Sequence, residues 1–109
     1  TAYAVVEGFR VSPVFNAFAE PCDIRYTLQA PAHVQIRIVQ VLPDGSRVLV
    51  REISPERRET AGPRTAAWRG IGPNGLFAPQ GEYVVELYAR LDGSSRTEAW
   101  ELTTTMYRT

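Results

Sequence analysis

Apolar side chains recur at every second position over four stretches of this chain, and that period constrains the fold more than any other feature. Ile24, Tyr26 and Leu28 alternate with Asp23, Arg25 and Thr27, and Val34, Ile36 and Ile38 alternate with Gln35 and Arg37. Tyr83, Val85, Leu87, Ala89 and Leu91 form a third run, and Trp100, Leu102, Thr104 and Met106 a fourth. Successive side chains of an extended strand point to opposite faces, so each run lays one face on a core and turns the other to solvent. A helix would scatter the same residues around its axis. Pro43-Asp44-Gly45-Ser46 and Asp92-Gly93-Ser94 stand between such runs, where Asp can bond its own following backbone and Gly supplies positive φ, so both read as hairpin turns.

These signals predict seven strands, at 3–11, 22–29, 33–42, 47–54, 64–69, 82–91 and 95–106. The fold class expected from them is all-β: an antiparallel two-sheet sandwich forming a single domain over 1–109. Three irregular segments remain, 12–21, 55–63 and 70–81, and Pro55-Glu56-Arg57-Arg58-Glu59 is expected to make one helical turn before Gly62-Pro63 stops it. The expected core holds Ile24, Tyr26, Leu28, Val34, Ile36, Ile38, Trp68, Tyr83, Val85, Leu87 and Trp100.

A chain of 109 residues can bury a sufficient core without a metal or a disulfide. It has one cysteine, so no intramolecular disulfide forms. Twelve basic residues, all arginine, balance 12 acidic ones, which argues against a nucleic-acid partner, since phosphate neutralisation needs a basic excess. No apolar run approaches the roughly 20 residues of a membrane helix, and no signal peptide is read. The expectation is therefore a mature product, an excised module or a small protein lacking its initiator Met.

Reactive chemistry finds little support. His33 is the one histidine, and a zinc site needs partners at useful spacing; it reads as a surface residue. Cys22 shares parity with Ile24, Tyr26 and Leu28 and reads as a small buried hydrophobe. Glu82 and Glu86 alternate with core positions, so both are expected to face solvent rather than to form a catalytic pair. Asp44 and Asp92 read as turn formers rather than calcium ligands. No nucleophile elbow, phosphate loop or dinucleotide fingerprint occurs. The sequence thus predicts no catalytic residue, no metal and no cofactor.

Four ordered features resemble the immunoglobulin-like domain named after the flagellar hook-capping protein, a module of bacterial surface and secreted proteins. They are Pro13 and Asn16 leading into Cys22-Asp23-Ile24-Arg25-Tyr26-Thr27-Leu28; Val34-Gln35-Ile36-Arg37-Ile38 with the Asp44-Gly45 hairpin and Val48; Ala61-Gly62 followed by Trp68-Arg69-Gly70; and Asn74-Gly75 followed by Pro79-Gln80-Gly81-Glu82-Tyr83. The resemblance covers residues 12 to 91. The chain departs from the family at Arg69, where an acidic residue is common, at Ser12-Pro13-Val14-Phe15-Asn16, and in strand 3–11, which precedes the family pattern. The resemblance implies an immunoglobulin-like sandwich, an extracytoplasmic setting at a cell surface or in an extracellular assembly, and no catalytic residues.

The function expected is a non-enzymatic structural or protein-interaction module of a bacterial surface, appendage or particle assembly. It would bind another protein through a sheet edge, strand 3–11 among them, or through the end loops. The alternatives are a carbohydrate-binding module of a multidomain enzyme and a small accessory subunit of a virus-like particle. Neither nucleic acid nor membrane insertion is expected. Candidate interaction residues are Leu76 and Phe77 on loop 70–81, Arg57 and Arg58 on loop 55–63, and Tyr88, which shares an outward parity with Glu86 and Arg90. Leu76 and Phe77 have no strand pattern to bury them. Either they anchor a partner or they fold back over the open end of the core.

Overall fold

The computed structural model describes residues 4–109, so Tyr3, the first residue of the expected strand 3–11, lies outside the described residues. The described residues form eight strands and no helix: β1 (Val6–Val11), β2 (Val14–Asn16), β3 (Cys22–Leu28), β4 (Ala32–Val41), β5 (Arg47–Glu59), β6 (Gly62–Trp68), β7 (Gly81–Leu91) and β8 (Thr97–Tyr107). They make two sheets, one of three strands in the order β1-β3-β6 and one of five in the order β2-β8-β7-β4-β5. The period-two runs fall on β3, β4, β7 and β8, and their inward residues meet between the sheets.

The short strand β2 is absent from the seven expected, because three residues are too few to show a period. It arises where the chain changes sheet at Ser12-Pro13. Ser12 still pairs its N–H with Asp23 O at 3.0 Å, whereas Pro13 O already accepts from Thr105 N at 2.9 Å. From there β2 runs parallel to β8, Val14 opposite Thr105 and Asn16 opposite Tyr107. Upstream, β1 slips register against β3 between Glu7 and Arg10, and Gly8 sits at that slip with φ 65°. This is a β-bulge whose left-handed residue glycine accepts without penalty.

Two expectations fail on β5. The predicted helical turn at 55–59 does not form: the strand continues to Glu59, with Arg57 opposite Val34 and Arg58 opposite His33. Pro55 is tolerated because β5 is an edge strand, and the register irregularities along β4–β5 absorb the residues that do not fit the ladder. Arg57 and Arg58 are consequently strand residues, and only Thr60 and Ala61 separate β5 from β6.

Ile24, Tyr26, Leu28, Val34, Ile36, Ile38, Trp68, Tyr83, Val85 and Leu87 are all buried. Trp100 is not: it keeps 37% of its surface exposed, as does Leu102. Both stand on the inward face of β8, opposite Leu87 and Val85. Among the described residues, however, no strand pairs with β8 on its free side before Thr105, so the sandwich margin leaves them partly uncovered. Glu86 is the reverse case. It lies on the outward face yet is only 5% exposed, because the guanidinium groups of Arg37, at 3.2 Å, and Arg47, at 2.6 Å, close over its carboxylate.

Candidate functional site

The end of the sandwich where β2 leads to β3 and β6 leads to β7 carries the two most exposed large apolar side chains among the described residues, Leu76 and Phe18. Trp68 builds its floor. Its ring is 1% exposed and packs edge-on against Phe15, with centroids 5.7 Å apart, and against Tyr83 at 5.0 Å. Its indole N–H donates to Ile71 O at 3.0 Å, so the Trp that closes the core also holds the start of the next loop. At the far side of that loop the Tyr83 hydroxyl donates to Pro79 O. Burial pushes the Tyr83 hydroxyl pKa up, which keeps it protonated as a donor.

Between these two ties the segment from Arg69 to Gln80 is bonded internally. Gly72 N donates to Leu76 O at 2.7 Å, and Ala78 N to Gly70 O at 2.8 Å. Asn74 Oδ1 accepts from Leu76 N at 3.1 Å, the short side chain imitating a backbone turn. Ile71 and Phe77 form an isolated bridge. Gly70, at φ 82°, approaches the neighbouring loop so closely that a Cβ there would lie 2.9 Å from Ala17 Cβ. The backbone is thus fixed, while Leu76 is 66% and Phe77 45% exposed. They do not fold back over the core.

Sequence reasoning missed the third member, Phe18, which is 61% exposed and meets Phe77 edge-on at 5.3 Å. Asn16 shapes its loop. Asn16 Oδ1 accepts from Phe18 N at 3.1 Å, and Asn16 O accepts from Ala19 N and Glu20 N, both at 2.9 Å. The Asn16 amide also donates to Thr109 O at 3.2 Å. The C-terminal residues supply a cation: the Arg108 guanidinium lies 5.6 Å from the Phe77 ring centroid and donates to Ala78 O. The signal available in the sequence was Asn16 two residues before an aromatic, an Asx-turn pattern that leaves a large ring at a loop tip.

The other candidates lie elsewhere. Arg57 pairs with Glu59 at 3.4 Å, and Arg58 with Asp92 at 3.0 Å, in the last residues of β5 at the opposite end of the sandwich. Tyr88 is partly covered on the outer face of the five-stranded sheet, with the Arg37 guanidinium 5.4 Å from its ring centroid. His33 Nε2 lies 3.2 Å from Asp92 Oδ1. Cys22 is fully buried, and burial raises its thiol pKa, away from the reactive thiolate. Among the described residues no cluster of His, Cys, Asp and Glu stands in a metal-holding arrangement. The cleft between β5 and β6, about 260 Å³, is lined by Arg51, Glu52, Trp68 and Arg69 among others and contains a single carboxylate.

In comparison with known proteins, the chain matches no family model and no curated sequence.

Proposed function

We propose that this chain is an immunoglobulin-like sandwich acting as a non-enzymatic protein-interaction module, and that Phe18, Leu76 and Phe77 form its recognition face. The observation that carries the reading is the contrast between a fully bonded loop backbone and three large apolar side chains left in solvent at its tips. Exposed apolar groups on a backbone that is already fixed have only their side-chain freedom left to lose, so binding retains more of the energy of burying them. Aromatic rings at the centre of a patch, with an arginine at its rim, are the usual anchors of protein interfaces. Arg108 takes the rim position here and would favour an apolar segment that also offers a carbonyl or carboxylate.

The immunoglobulin-like reading is supported by the strand that changes sheets to run parallel to β8, and by the tyrosine at the start of the penultimate strand whose hydroxyl ties down the preceding loop. A cell-surface or particle-assembly setting rests on the sequence resemblance alone. A polysaccharide platform would need aromatic rings in line on one face, whereas Phe18 and Phe77 meet at an interplanar angle of 72°. The test compares partner recovery by the immobilised wild type with recovery by Phe77→Ala and Phe18→Ala. Loss of a partner protein by both variants is expected. Unchanged recovery removes this face, and retention on a polysaccharide column in place of protein recovery moves the reading to carbohydrate binding.

A further inference from the structure

The outer strands β1, β5 and β6 and the part of β8 that β2 leaves unpaired differ in how their free edges are protected. Pairing with a foreign strand is discouraged by bulges, prolines and basic side chains. β5 carries Pro55, several arginines and an irregular register, β1 carries the Gly8 bulge, and β6 has Pro63 as its second residue. The segment Thr97–Thr103 of β8 has none of these. Its sequence, Thr-Glu-Ala-Trp-Glu-Leu-Thr, has no Pro, no Gly and no basic residue, and its register against β7 is unbroken from Gly81–Met106 to Arg90–Thr97. Thr105 N points to Pro13 O on this free side. The period of two therefore aims the N–H and C=O groups of Thr97, Ala99, Glu101 and Thr103 outward along the same edge. Trp100 and Leu102 stand beside it, each 37% exposed.

We infer that this edge pairs with the same edge of a second copy of the chain, antiparallel about a two-fold axis at Trp100. Three observations select that occupant and that register. The stretch Thr97–Thr103, unpaired on this side among the described residues, is bounded by the β7–β8 turn at one side and by β2, which takes up β8 from Thr105, at the other. Its midpoint is Trp100, so a two-fold there pairs Thr97 with Thr103 and uses the whole stretch, and β2 of each copy falls beyond the last pair. Shifted two residues towards Leu102, the axis would bring β2 of one copy against Thr97 of the other. The charges choose the same register. Centred on Trp100, Glu101 faces Ala99 and Glu98 faces Leu102; an axis moved one residue, to Glu101, would place Glu101 against Glu101, and one moved two residues the other way, to Glu98, would place Glu98 against Glu98, both unfavourable. Both carboxylates are also already engaged within their own chain. Glu98 accepts from Val5 N at 2.6 Å, Val6 N at 3.3 Å and the Trp100 indole at 3.1 Å, and Glu101 from Arg47 at 2.6 Å. With a formal net charge of zero, two copies approach without long-range repulsion.

The pairing joins two five-stranded sheets into one continuous sheet and sets the Trp100 side chains side by side as a non-hydrogen-bonded pair, the closer kind of cross-strand contact. Sedimentation velocity over about a hundredfold range of concentration tests it. The wild type is expected to shift from monomer to dimer. Ala99→Pro, which removes an outward N–H and leaves the β7 ladder intact, and Trp100→Lys, which places a cation on the edge, are each expected to weaken association at least about tenfold. A wild type that stays monomeric throughout, or a dimer that persists in both variants, overturns the inference. Trp100→Cys keeps the test decisive should those variants fail to fold. Paired Cα atoms about 4.5 Å apart suit a disulfide, so oxidation is expected to give a covalent dimer on a non-reducing gel, and its absence at dimer-forming concentration also overturns the inference.

Discussion

The two ends of the sandwich are built from the same kinds of turn yet present opposite chemistry. At the end formed by β4, the last part of β5 and the β7–β8 turn, most charges have a partner: Asp92 takes Arg58 and His33, Arg90 reaches Glu56 at 3.8 Å and donates to Ser94 O at 3.2 Å. At the other end the backbone is equally well bonded, but Phe18, Leu76 and Phe77 are left uncovered. A charged surface that satisfies itself gives a partner little to gain, since exposed pairs contribute little and are screened by salt. Apolar side chains on a fixed frame have no such internal outlet. The difference separates an end that closes the domain from an end that serves as a surface.

The strongest way to break the contrast is to remove the floor of the apolar end. Trp68→Ala deletes a ring packed between Phe15 and Tyr83 together with the indole bond to Ile71 O, and a loss of ~3–5 kcal/mol in denaturant unfolding is expected. A loss below ~1 kcal/mol would mean that Trp68 does not hold the core. Tyr83→Phe is the gentler cut. It removes one hydrogen bond to Pro79 O, for a cost of ~0.5–1.5 kcal/mol, and faster amide exchange is expected at Leu76 and Ala78 than in the strands. Unchanged exchange there would show that the turn's own bonds suffice to fix it.

Phe77→Ala sharpens the comparison from the side of function. The side chain is 45% exposed, and its truncation is expected to change stability by no more than ~1 kcal/mol, with the Phe18 contact and the stacked Arg108 as the contributors. Thermal unfolding checks this, and a larger loss would identify Phe77 as a structural cover for the end rather than an anchor.

How far the sequence revealed these features depends on the range of the interaction that decides each one. The alternating runs place β3, β4, β7 and β8 because strand parity is local, and ten of the 11 expected core residues are buried for the same reason. Parity gives the face of a side chain and nothing about what covers it. Trp100 has the inward face but no covering strand, and Glu86 has the outward face but two arginines from β4 and β5 above it. Pro55 reads as a strand stop until the edge position of β5 is known. Leu76 and Phe77 stood out because an apolar pair in a Gly-rich loop breaks a local rule. Phe18 did not, since its contact with Phe77 joins residues 59 positions apart.

The smallest expected effect belongs to the charged end. The hydrogen bond from Arg58, together with the nearby His33, draws the Asp92 carboxyl below its ordinary range against a smaller opposing effect of desolvation. A depressed carboxylate contributes stability above its unfolded pKa of about 3.9, and that contribution is lost as pH falls through the folded value. The Asp92 carboxyl is exposed and salt screens its partner, so the contribution is a slight sharpening of acid unfolding rather than a pillar of the fold. Arg58→Ala is expected to raise the Asp92 pKa towards the ordinary value in a carboxyl titration followed by NMR. Adding salt to the wild type should move it the same way. The decisive companion measurement is partner recovery by the same variant: it should match wild type, because this end satisfies its own charges. A variant that titrates as expected but loses the partner would transfer the recognition face from Phe18 and Phe77 to the end that holds Arg58.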